Sequence, residues 1–466
     1  MKEKKQATLF HALIPIVILV ASLFIGIIYL GADPHILILI GAIAATLVAM
    51  FALNYSWTEI ETGIVETIQM VMQGLLILMV VGTLIGSWIL SGTVPAMIYY
   101  GLQILSPGIF LVATCIICIV VSLSTGSSWT TAGTVGIALM GVGQGLGIPP
   151  AMTAGAIISG AYFGDKMSPL SDTTNMTPAV AGATLFDHIK YMFQTTGPSI
   201  AIALILYGVL GARYAGQALD TTSIDMIIDV LKVEFNITPL LFIPPIVVIG
   251  LVATKKPALP SLVIGTIVGG LFAAIFQGAH IADIIDTVHY GFYIETGVDV
   301  VDSLLVRGGL DSMMWTISLV ICAMVFGGVM EKTGMLQAVG HSILKMAKST
   351  GSLVFATTFT ALMANILTAD QYLALVVPAR MYKSEFDERG LEPKLLSRTL
   401  EEGGTLTSAL IPWNTCGAYM MTVLMVNPLA YLPYAFFNLI NPLMGILFAY
   451  TGWGIKQVDP KEQKAS

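Results

Sequence analysis

The sequence predicts an all-α, polytopic membrane protein of about ten spans, built from two inverted repeats. The chain has 466 residues, of which 56% are hydrophobic and 11% charged, whereas soluble domains carry about 25% charged residues. From Thr67 to Gly164 it contains no Asp, Glu, Lys, Arg or His, a stretch far longer than the roughly 20 residues that cross a bilayer. The order of apolar and interrupted segments repeats between its two halves. These features exclude a soluble globular protein.

Eight apolar runs, bounded by charges or turn residues, are predicted to be uninterrupted spans. They cover residues 12–30, 35–53, 67–90, 193–211, 238–254, 257–276, 311–330 and 428–450. The first run follows a short basic segment, but it is too long for the apolar part of a signal peptide and no small-x-small cleavage site follows it. We therefore predict that it is retained as the first helix.

Four further apolar segments are interrupted by polar residues. Segment 352–379, broken at 368–370, is too short for two crossings, yet lysines and arginines flank it on both sides. Because cytoplasmic loops collect these residues, it is predicted to be a re-entrant hairpin from the cytoplasm. Segment 109–146 is predicted to be a matching hairpin from the outside, although two full crossings there would give the same topology. Segments 150–190 and 398–425 are predicted to be discontinuous helices.

The positive charges orient the chain with both termini in the cytoplasm. This orientation puts all but four of the 21 Lys and Arg residues on the cytoplasmic side, as the positive-inside rule expects. The exceptions are Arg213, Lys232 and Arg307, which are predicted to lie outside, and Lys166, which is predicted to lie within the membrane. The sorting of charge supports the whole topology, including the hairpins.

The predicted repeats occupy residues 1–211 and 238–452, with an extracellular connector at 212–237 and a cytoplasmic tail at 453–466. Inverted repeats with discontinuous helices are typical of secondary transporters, whose substrates bind near the midplane. The chain has no G-x-x-x-x-G-K-[ST], H-E-x-x-H or G-x-S-x-G motif, so neither a primary pump nor an enzyme is predicted, and no cofactor is expected. A net charge of −7 argues against nucleic acid as a partner.

Carboxylates at membrane depth are costly and are therefore functional candidates by default. Here they are Asp165, Asp172 and Asp370, with Glu401 and Glu402 nearer the cytoplasm. Hard cations take oxygen ligands, so these carboxylates and their neighbours are predicted to bind sodium. The central ligands are predicted to be Asp172, Asn175 and Asp370. The short oxygen-bearing side chains at the breaks are Thr125, Ser127, Ser128, Ser168, Thr173, Thr174, Asn175 (the asparagine of the sodium site), Thr368, Asn414 and Thr415.

Several of these residues also have structural interpretations. A single Ser or Thr commonly packs between membrane helices, but the polar run at 171–175 would leave polar groups unsatisfied unless it lines a cavity. Lys166 is interpreted as a structural counter-charge to Asp165 or Asp172, ahead of a direct ligand or proton-carrying role. The two glutamates follow Arg398 and are interpreted first as a salt bridge at a helix end, at the membrane interface.

Three motifs resemble the NhaC family of bacterial sodium/proton antiporters, and the resemblance runs over nearly the whole chain. They are GSSWTTAGTVG at 126–136, GDKMSPLSDTTNM at 164–176 and EEGGTLTSALIPWNTC at 401–416. The resemblance implies a secondary antiporter of the ion-transporter superfamily in the bacterial cytoplasmic membrane, in which a mobile domain bearing the hairpins moves against a homodimeric scaffold. It assigns Asp165 and Asp172 as the ion and proton carboxylates of the first repeat. Their counterparts in the second repeat would be Asp370, Asn414 and Thr415.

Two transport hypotheses follow. In the first, Na⁺ and H⁺ compete for the embedded aspartates by elevator-like alternating access, and Lys166, Asp172, Glu401 and Glu402 couple the proton or balance its charge. In the second, Na⁺ moves with a small hydroxy acid such as lactate in exchange for proton-coupled malate, as in some members of the NhaC family. A cation channel is disfavoured, because hairpins that meet from opposite sides form an occluded site rather than a continuous pore.

Overall fold

The computed structural model describes residues 3–215 and 221–457. Within these ranges the chain is helical, and its only extended pairing is an isolated bridge between Leu391 and Gln457. The all-α prediction is confirmed. Residues 216–220 of the predicted connector and 458–466 of the predicted tail lie outside the described residues.

The first part of the chain contains ten α-helices. They are α1 Leu9–Phe24, α2 Pro34–Leu47, α3 Trp57–Leu90, α4 Thr93–Ile104, α5 Pro107–Thr125, α6 Ser128–Thr131, α7 Ile137–Gly145, α8 Pro150–Met167, α9 Asp172–Ala181 and α10 Leu185–Ala215. π-Helical turns at Ile25–Tyr29 and Val48–Ala52 extend α1 and α2, and Ala132–Gly136 joins α6 to α7.

The second part contains fourteen α-helices in its described residues. They are α11 Thr221–Glu234, α12 Ile243–Ala253, α13 Ala258–Gln277, α14 Ile281–Tyr290, α15 Asp299–Leu305, α16 Met314–Lys332, α17 Met335–Leu344, α18 Thr350–Thr368, α19 Gln371–Glu388, α20 Pro393–Leu400, α21 Leu406–Ser408, α22 Thr415–Leu424, α23 Pro428–Tyr431 and α24 Phe436–Thr451. A π-helical turn, Glu401–Thr405, joins α20 to α21, and 3₁₀ turns occupy Pro239–Phe242, Asp311–Met313 and Leu432–Tyr434.

In the described ranges, eight helices are long and apolar enough to cross a membrane. Two bent pairs of helices raise this number to ten if each pair counts as one span. The pairs are Ile224–Glu234 with Pro239–Ala253, bent by 95°, and Thr415–Leu424 with Pro428–Tyr434, bent by 86°. The prediction of about ten spans is confirmed as far as helix number, length and composition are concerned.

The prediction of an uninterrupted span at 428–450 is wrong. Helical structure at Pro428–Tyr434 stops before α24, because Ala435 leaves the helical conformation with φ −78° and ψ 62°. Pro433 lacks the backbone N–H that a continuous helix through this point would use. The apolar composition of the run conceals this break, since hydropathy alone is insensitive to a missing donor.

Four helices that start after interruptions of the apolar helical segments have polar N-caps. The side chains of Ser127, Ser171, Asp370 and Asn414 each accept a hydrogen bond from a backbone N–H two or three residues further on. Such caps satisfy N–H groups that have no partner within the helix. They begin α6, α9, α19 and α22 respectively, and thereby explain why polar residues can interrupt apolar segments here.

Helices α5 and α8 pack closely through small residues. A Cβ on Gly164 would lie 2.5 Å from Ser122 Cβ, and the Ser122 hydroxyl donates to the Ala161 carbonyl at 2.6 Å. Small residues at helix contacts let membrane helices approach each other closely. This contact brings the last residue of α5, Thr125, to the same region as Asp165 near the end of α8.

Candidate functional site

The capped starts of α6, α9, α19 and α22 surround one cavity of about 720 Å³. Helix α3 forms part of its wall. The exposed Lys255 and Lys256, in the turn between α12 and α13, lie at its edge. Eight predicted site residues line the cavity: Thr125, Ser127, Ser128, Asp165, Asp172, Thr173, Asp370 and Thr415.

Asp165 has one satisfied and one unsatisfied carboxylate oxygen. Oδ2 accepts from the backbone N–H of Ser128 at 3.1 Å and from its hydroxyl at 2.6 Å. Oδ1 has no hydrogen-bond partner in the described structure, although the residue is only 6% exposed. A buried carboxylate oxygen without a partner is costly, so this atom is suited to bind a cation or a proton.

Asp172 links the two halves of the chain. It is the first residue of α9 and is exposed in the cavity. Its Oδ2 accepts from the hydroxyl of Tyr372, near the start of α19, and its Oδ1 accepts from the N–H of Thr173 at 2.8 Å. A change of charge or ligation at Asp172 therefore acts directly on both α9 and α19.

Asp370 is the third carboxylate of the cavity. It is 1% exposed, and its Oδ1 accepts from the N–H of Leu373 at 2.9 Å. The preceding residue, Ala369, is in the left-handed conformation with φ 56° and accepts from Thr415 N–H at 2.9 Å through its carbonyl. These bonds hold the starts of α19 and α22 together at the cavity wall.

Helix starts and carboxylates give the cavity a mixed electrostatic character. Four helix N-termini carry partial positive charge, and three aspartates bring formal negative charge. Among the described lining residues the only cationic side chains are Lys255 and Lys256, at its exposed edge. The deep part of the cavity therefore favours a small cation, while the helix starts also offer N–H groups to an anionic group.

The structure does not bring five other predicted site residues to the cavity lining. Each instead bonds to backbone or to a structural side chain. Thr174 donates to the carbonyls of Asp165 and Lys166, at 3.0 and 3.1 Å, and Asn175 donates to the carbonyls of Pro169 and Ser171. The remaining three are Ser168, which donates to Leu123, Thr368, which donates to Ala364, and Asn414, which donates to Asn365.

Sequence reasoning missed several polar side chains of the cavity. Gln371 and Tyr372 directly follow Asp370, and Trp129 directly follows Ser128, so adjacency to the breaks was the available signal. Gln73 interrupts the apolar run of α3. The others are Lys255, Lys256 and Cys416.

Lys166 does not pair with either cavity aspartate, and that interpretation is wrong. Its ammonium donates to Asn441 Oδ1 at 2.6 Å and lies 4.0 Å from Glu402 Oε1. Successive residues of an α-helix point about 100° apart. Lys166 therefore leaves the last turn of α8 in a different direction from Asp165.

The predicted ion pair between Arg398 and a glutamate is present, with Arg398 Nε 3.5 Å from Glu402 Oε1, but its predicted place at a helix end at the membrane interface is wrong. Lys166, Arg398, Glu401 and Glu402 are each 0% exposed and form what we term the charge cluster. The glutamates lie inside the continuous helical segment from Pro393 to Ser408 rather than at its end. Helices α18, α19 and α24 pack against residues 401–405 and so remove both glutamates from the surface.

Hydrogen bonding within the charge cluster is incomplete. Glu402 Oε1 accepts from the Thr195 hydroxyl at 2.7 Å and lies 3.5 Å from Arg398 Nε. The Arg398 guanidinium lies 4.9 Å from the centroid of the Tyr191 ring, a favourable cation–π geometry. In the described structure, the nitrogens of Arg398 and the Oε2 atoms of Glu401 and Glu402 have no hydrogen-bond partner.

Comparison with known proteins gives consistent matches. The sequence model described as "Na+/H+ antiporter family" matches residues 160–453. The chain is 40% identical to the Na(+)/H(+) antiporter NhaC of Alkalihalophilus pseudofirmus, over 97% of both chains. It is 38% identical to the arginine/ornithine antiporter ArcD of Halobacterium salinarum, over 98% of this chain and 95% of that one. It is 37% identical to the malate-2H(+)/Na(+)-lactate antiporter of Bacillus subtilis, over the full length of both.

Proposed function

The chain belongs to the Na⁺/H⁺ antiporter family, and from this premise we propose that it exchanges Na⁺ for H⁺ by competition at the cavity aspartates. It is a multi-pass protein of the bacterial cytoplasmic membrane. Exchange follows from competition, because a carboxylate that holds a proton no longer offers its charge to a cation. Proton binding and sodium binding then exclude each other.

The observation that carries this proposal is the convergence of Asp165, Asp172 and Asp370 on one cavity. Their nearest neighbours are hydroxyls and N–H groups rather than cationic side chains, since Lys166 points to Asn441 and Glu402. Oxygen ligands suit a hard cation. Asp165 Oδ1 and the exposed carboxylate of Asp172 are the atoms we assign to Na⁺ and H⁺, with Asp370 in support.

The repeat in the proposed architecture is supported by the lengths of corresponding elements. Helices Pro107–Thr125 and Thr350–Thr368 have the same length and are separated by 243 positions, as are Asp172–Ala181 and Thr415–Leu424. The caps Ser171 and Asn414 have the same separation. Asn414 thus corresponds to Ser171 rather than to Asn175, and the counterpart of Asp172 is Thr415.

A re-entrant first hairpin is supported by the length of α10. This helix has 31 residues, or about 46 Å at 1.5 Å per residue, whereas α5 has 19 residues, or about 28 Å. Near the end of α10, Gly211 packs directly against Gly108 at the start of α5. Because the two helices are antiparallel from this level, α10 extends well beyond the tip of the hairpin.

The open edge of the cavity supports alternating access. Lys255 and Lys256 are exposed at this edge, and the positive-inside rule assigns them to the cytoplasm. We therefore propose that the structure corresponds to an inward-facing state. A homodimeric scaffold and an elevator-like moving domain are part of the same proposal.

A second function is favoured by the size of the cavity. A volume of about 720 Å³ lies in the range of pockets that hold small organic molecules, and four helix N-termini face it. Such N-termini bind carboxylates readily, and one relative is a malate-2H(+)/Na(+)-lactate antiporter. In this alternative, Na⁺ binds at the aspartates and a small carboxylate occupies the remaining volume.

Exchange in proteoliposomes separates the two functions. Purified protein is reconstituted with a trapped pH indicator, and a sodium gradient is imposed first alone and then together with lactate on one side of the membrane and malate on the other. For Na⁺/H⁺ exchange, a sodium gradient alone moves protons. If proton movement instead requires lactate or malate, the second function is correct, and if no gradient moves protons, both proposals fail.

The Asp172→Asn variant tests the role of the cavity carboxylates. We expect it to insert normally but to lose exchange by at least about 100-fold, because the amide keeps the shape of the side chain without the charge that binds Na⁺. The matched control is Asp187→Asn, since Asp187 is an exposed carboxylate that bonds only to Thr184. Wild-type exchange with an unchanged pH profile in Asp172→Asn would refute the assignment.

A further inference from the structure

Behind the cavity, a chain of hydrogen-bonding side chains reaches the charge cluster. Thr177 Oγ1 donates to Glu401 Oε1 at 3.1 Å. The same hydroxyl lies 3.4 Å from His188 Nε2, and His188 Nδ1 lies 2.6 Å from Ser397 Oγ. All four side chains are buried, with exposures of 0 or 1%, so that neighbouring protein shields the chain from bulk water.

The hydrogen-bonded path formed by Ser397, His188, Thr177 and Glu401 begins close to one surface of the protein. His188 lies in the first turn of α10, between the exposed Asp187 and Lys190. Ser397 lies about one turn into α20 from Lys394, which is partly exposed. The positive-inside rule assigns Lys190 and Lys394 to the cytoplasm. No member of the chain lines the cavity, so the route from this surface to Glu401 is separate from the open edge of the cavity.

We propose that Glu401 is a second proton-binding site, supplied from the cytoplasm through Ser397, His188 and Thr177 and distinct from the cavity aspartates. The inference rests on the proposed function and deepens it. A proton added at His188 Nδ1 forms an imidazolium, which releases its Nε2 proton to Thr177. The Thr177 hydroxyl passes its own proton to Glu401 Oε1, leaving a neutral ring and a neutral carboxyl.

Charged groups on three elements face Glu401. Lys166 and Asp165 lie on α8, His188 of α10 reaches Glu401 through Thr177, and Arg398 and Glu402, which pair with each other, lie on its own helical segment. With both glutamates ionised and His188 neutral, the charge cluster is neutral, because two carboxylates balance two cations. Protonation of Glu401 leaves the charge cluster with one net positive charge.

Helices α8 and α9 connect the charge cluster to the cavity, so the added charge acts on the cavity aspartates from close by. Asp165 and Lys166 are adjacent in the last turn of α8, and Thr174 of α9 donates to both of their carbonyls. Thr177, which bonds to Glu401, lies one turn further along α9. The positive charge that follows protonation of Glu401 weakens Na⁺ binding at Asp165. Sodium that enters from the cytoplasm and binds at Asp165 therefore favours release of the Glu401 proton, although the two ions bind to different carboxylates.

The equilibrium part of the proposal is tested on purified full-length protein. Infrared difference spectra between acid and alkaline pH report the carbonyl stretch of any protonated carboxyl, and calorimetry in buffers of different ionisation enthalpy counts the protons released per Na⁺. In Glu401→Gln we expect one carboxyl band to vanish and proton release to fall. Sodium affinity at alkaline pH should fall on the order of tenfold, since the local charge rises by one unit. An unchanged band and unchanged proton release would overturn the proposal.

The path is tested by a matched pair of buried threonines. Thr177 and Thr357 each donate to the carbonyl four residues earlier, but only Thr177 also bonds to Glu401. After a pH jump, Thr177→Val should slow the appearance of the Glu401 band about tenfold while keeping its final size, and Thr357→Val should behave as wild type. His188→Gln should slow it similarly. Wild-type rates in both Thr177→Val and His188→Gln would refute the path.

Failure of this inference is distinguishable from failure of the proposed function. The infrared band requires no sodium, so it reports on Glu401 even if sodium gradients move no protons in proteoliposomes. If exchange is present but the band persists in Glu401→Gln, the inference alone fails. Should Glu401→Gln not fold, Glu401→Asp must shift the band, and an unshifted band in that variant contradicts the assignment equally.

Discussion

A single lysine sets the charge balance behind the cavity. Lys166 and Glu402 are both 0% exposed, with 4.0 Å between Nζ and Oε1. Asn441 holds the ammonium at 2.6 Å, and its own amide donates to Ser199 at 3.2 Å. A buried ion pair gains little over an apolar replacement of both partners, but removal of one partner leaves an uncompensated buried charge.

We therefore predict that Lys166→Met lowers the free energy of unfolding by about 3–5 kcal/mol. The double variant Lys166→Met/Glu402→Gln should recover most of this loss, because it removes one negative charge as well and so restores the neutrality of the charge cluster. Thermal or denaturant unfolding of purified protein measures both. The exposed Lys190→Met serves as control and should change stability by no more than about 0.5 kcal/mol.

Two outcomes would contradict this account of Lys166. A single variant as stable as wild type would mean that the ammonium does not balance the charge of Glu402. A double variant less stable than the single would mean that the two side chains act separately. Because neither measurement involves transport, the result is independent of the substrate.

The sequence identified cavity residues by their charge but not by their direction. Asp165, Asp172 and Asp370 stand out because carboxylates are rare in apolar segments, and all three line the cavity. Asn175 and Lys166 belong to the same motif, yet one bonds to the adjacent turn and the other to the charge cluster. The direction of each depends on where α8 ends and α9 begins, which composition does not reveal.

At the scale of elements, the interruptions that follow helices α5 and α18 differ in how closely the backbone packs. Gly126 and Ala369 occupy corresponding positions, and both are left-handed, with φ 67° and 56°. A Cβ on Gly126 would lie 2.6 Å from the Leu170 carbonyl carbon and 2.8 Å from Ser171 N. Thus the first break needs glycine for its close approach to the start of α9, whereas the second already accommodates alanine.

We predict that Gly126→Ala strongly reduces exchange and destabilises the protein, because its methyl group forces apart α5 and the α8–α9 junction that carries Asp172. Ala369→Gly should change stability by no more than about 1 kcal/mol, since relief of the left-handed alanine is offset by the larger conformational entropy of glycine in the unfolded chain. Exchange and unfolding assays on both variants test this pair. Equal effects at the two positions would contradict the difference in packing.

Element types followed from the sequence more fully than element ends did. Apolar runs without charge predict membrane helices, because a bilayer admits few alternatives for an exposed backbone. The runs understated α3, which extends to 34 residues from Trp57 because Ser56 and Glu59 form a capping box. They overstated the last span, where Pro433 interrupts the helix. In both cases the decisive feature is a local hydrogen bond, present or missing.

At the scale of the whole molecule, the proposed topology makes the two ends of the transport path chemically distinguishable. Lys255 lies at the open edge of the cavity, Ser384 lies near the end of α19, and Asp299 begins α15; all three are exposed. The first two are assigned to the cytoplasm and the third to the outside. The native cysteines provide a low background, since Cys322 is half-buried and the other three, Cys115, Cys118 and Cys416, are buried.

We predict that an impermeant thiol reagent added to intact cells labels Asp299→Cys but neither Ser384→Cys nor Lys255→Cys, both of which become reactive in inverted vesicles. Modification of Lys255→Cys with a bulky reagent should then block exchange, because Lys255 is an exposed residue of the cavity lining, while modification of Ser384→Cys should leave exchange intact. Labelling of Ser384→Cys from outside would overturn both the second hairpin and the inverted repeat. Labelling of Lys255→Cys from outside would instead reverse the direction in which the cavity opens, and with it the side from which sodium reaches Asp165.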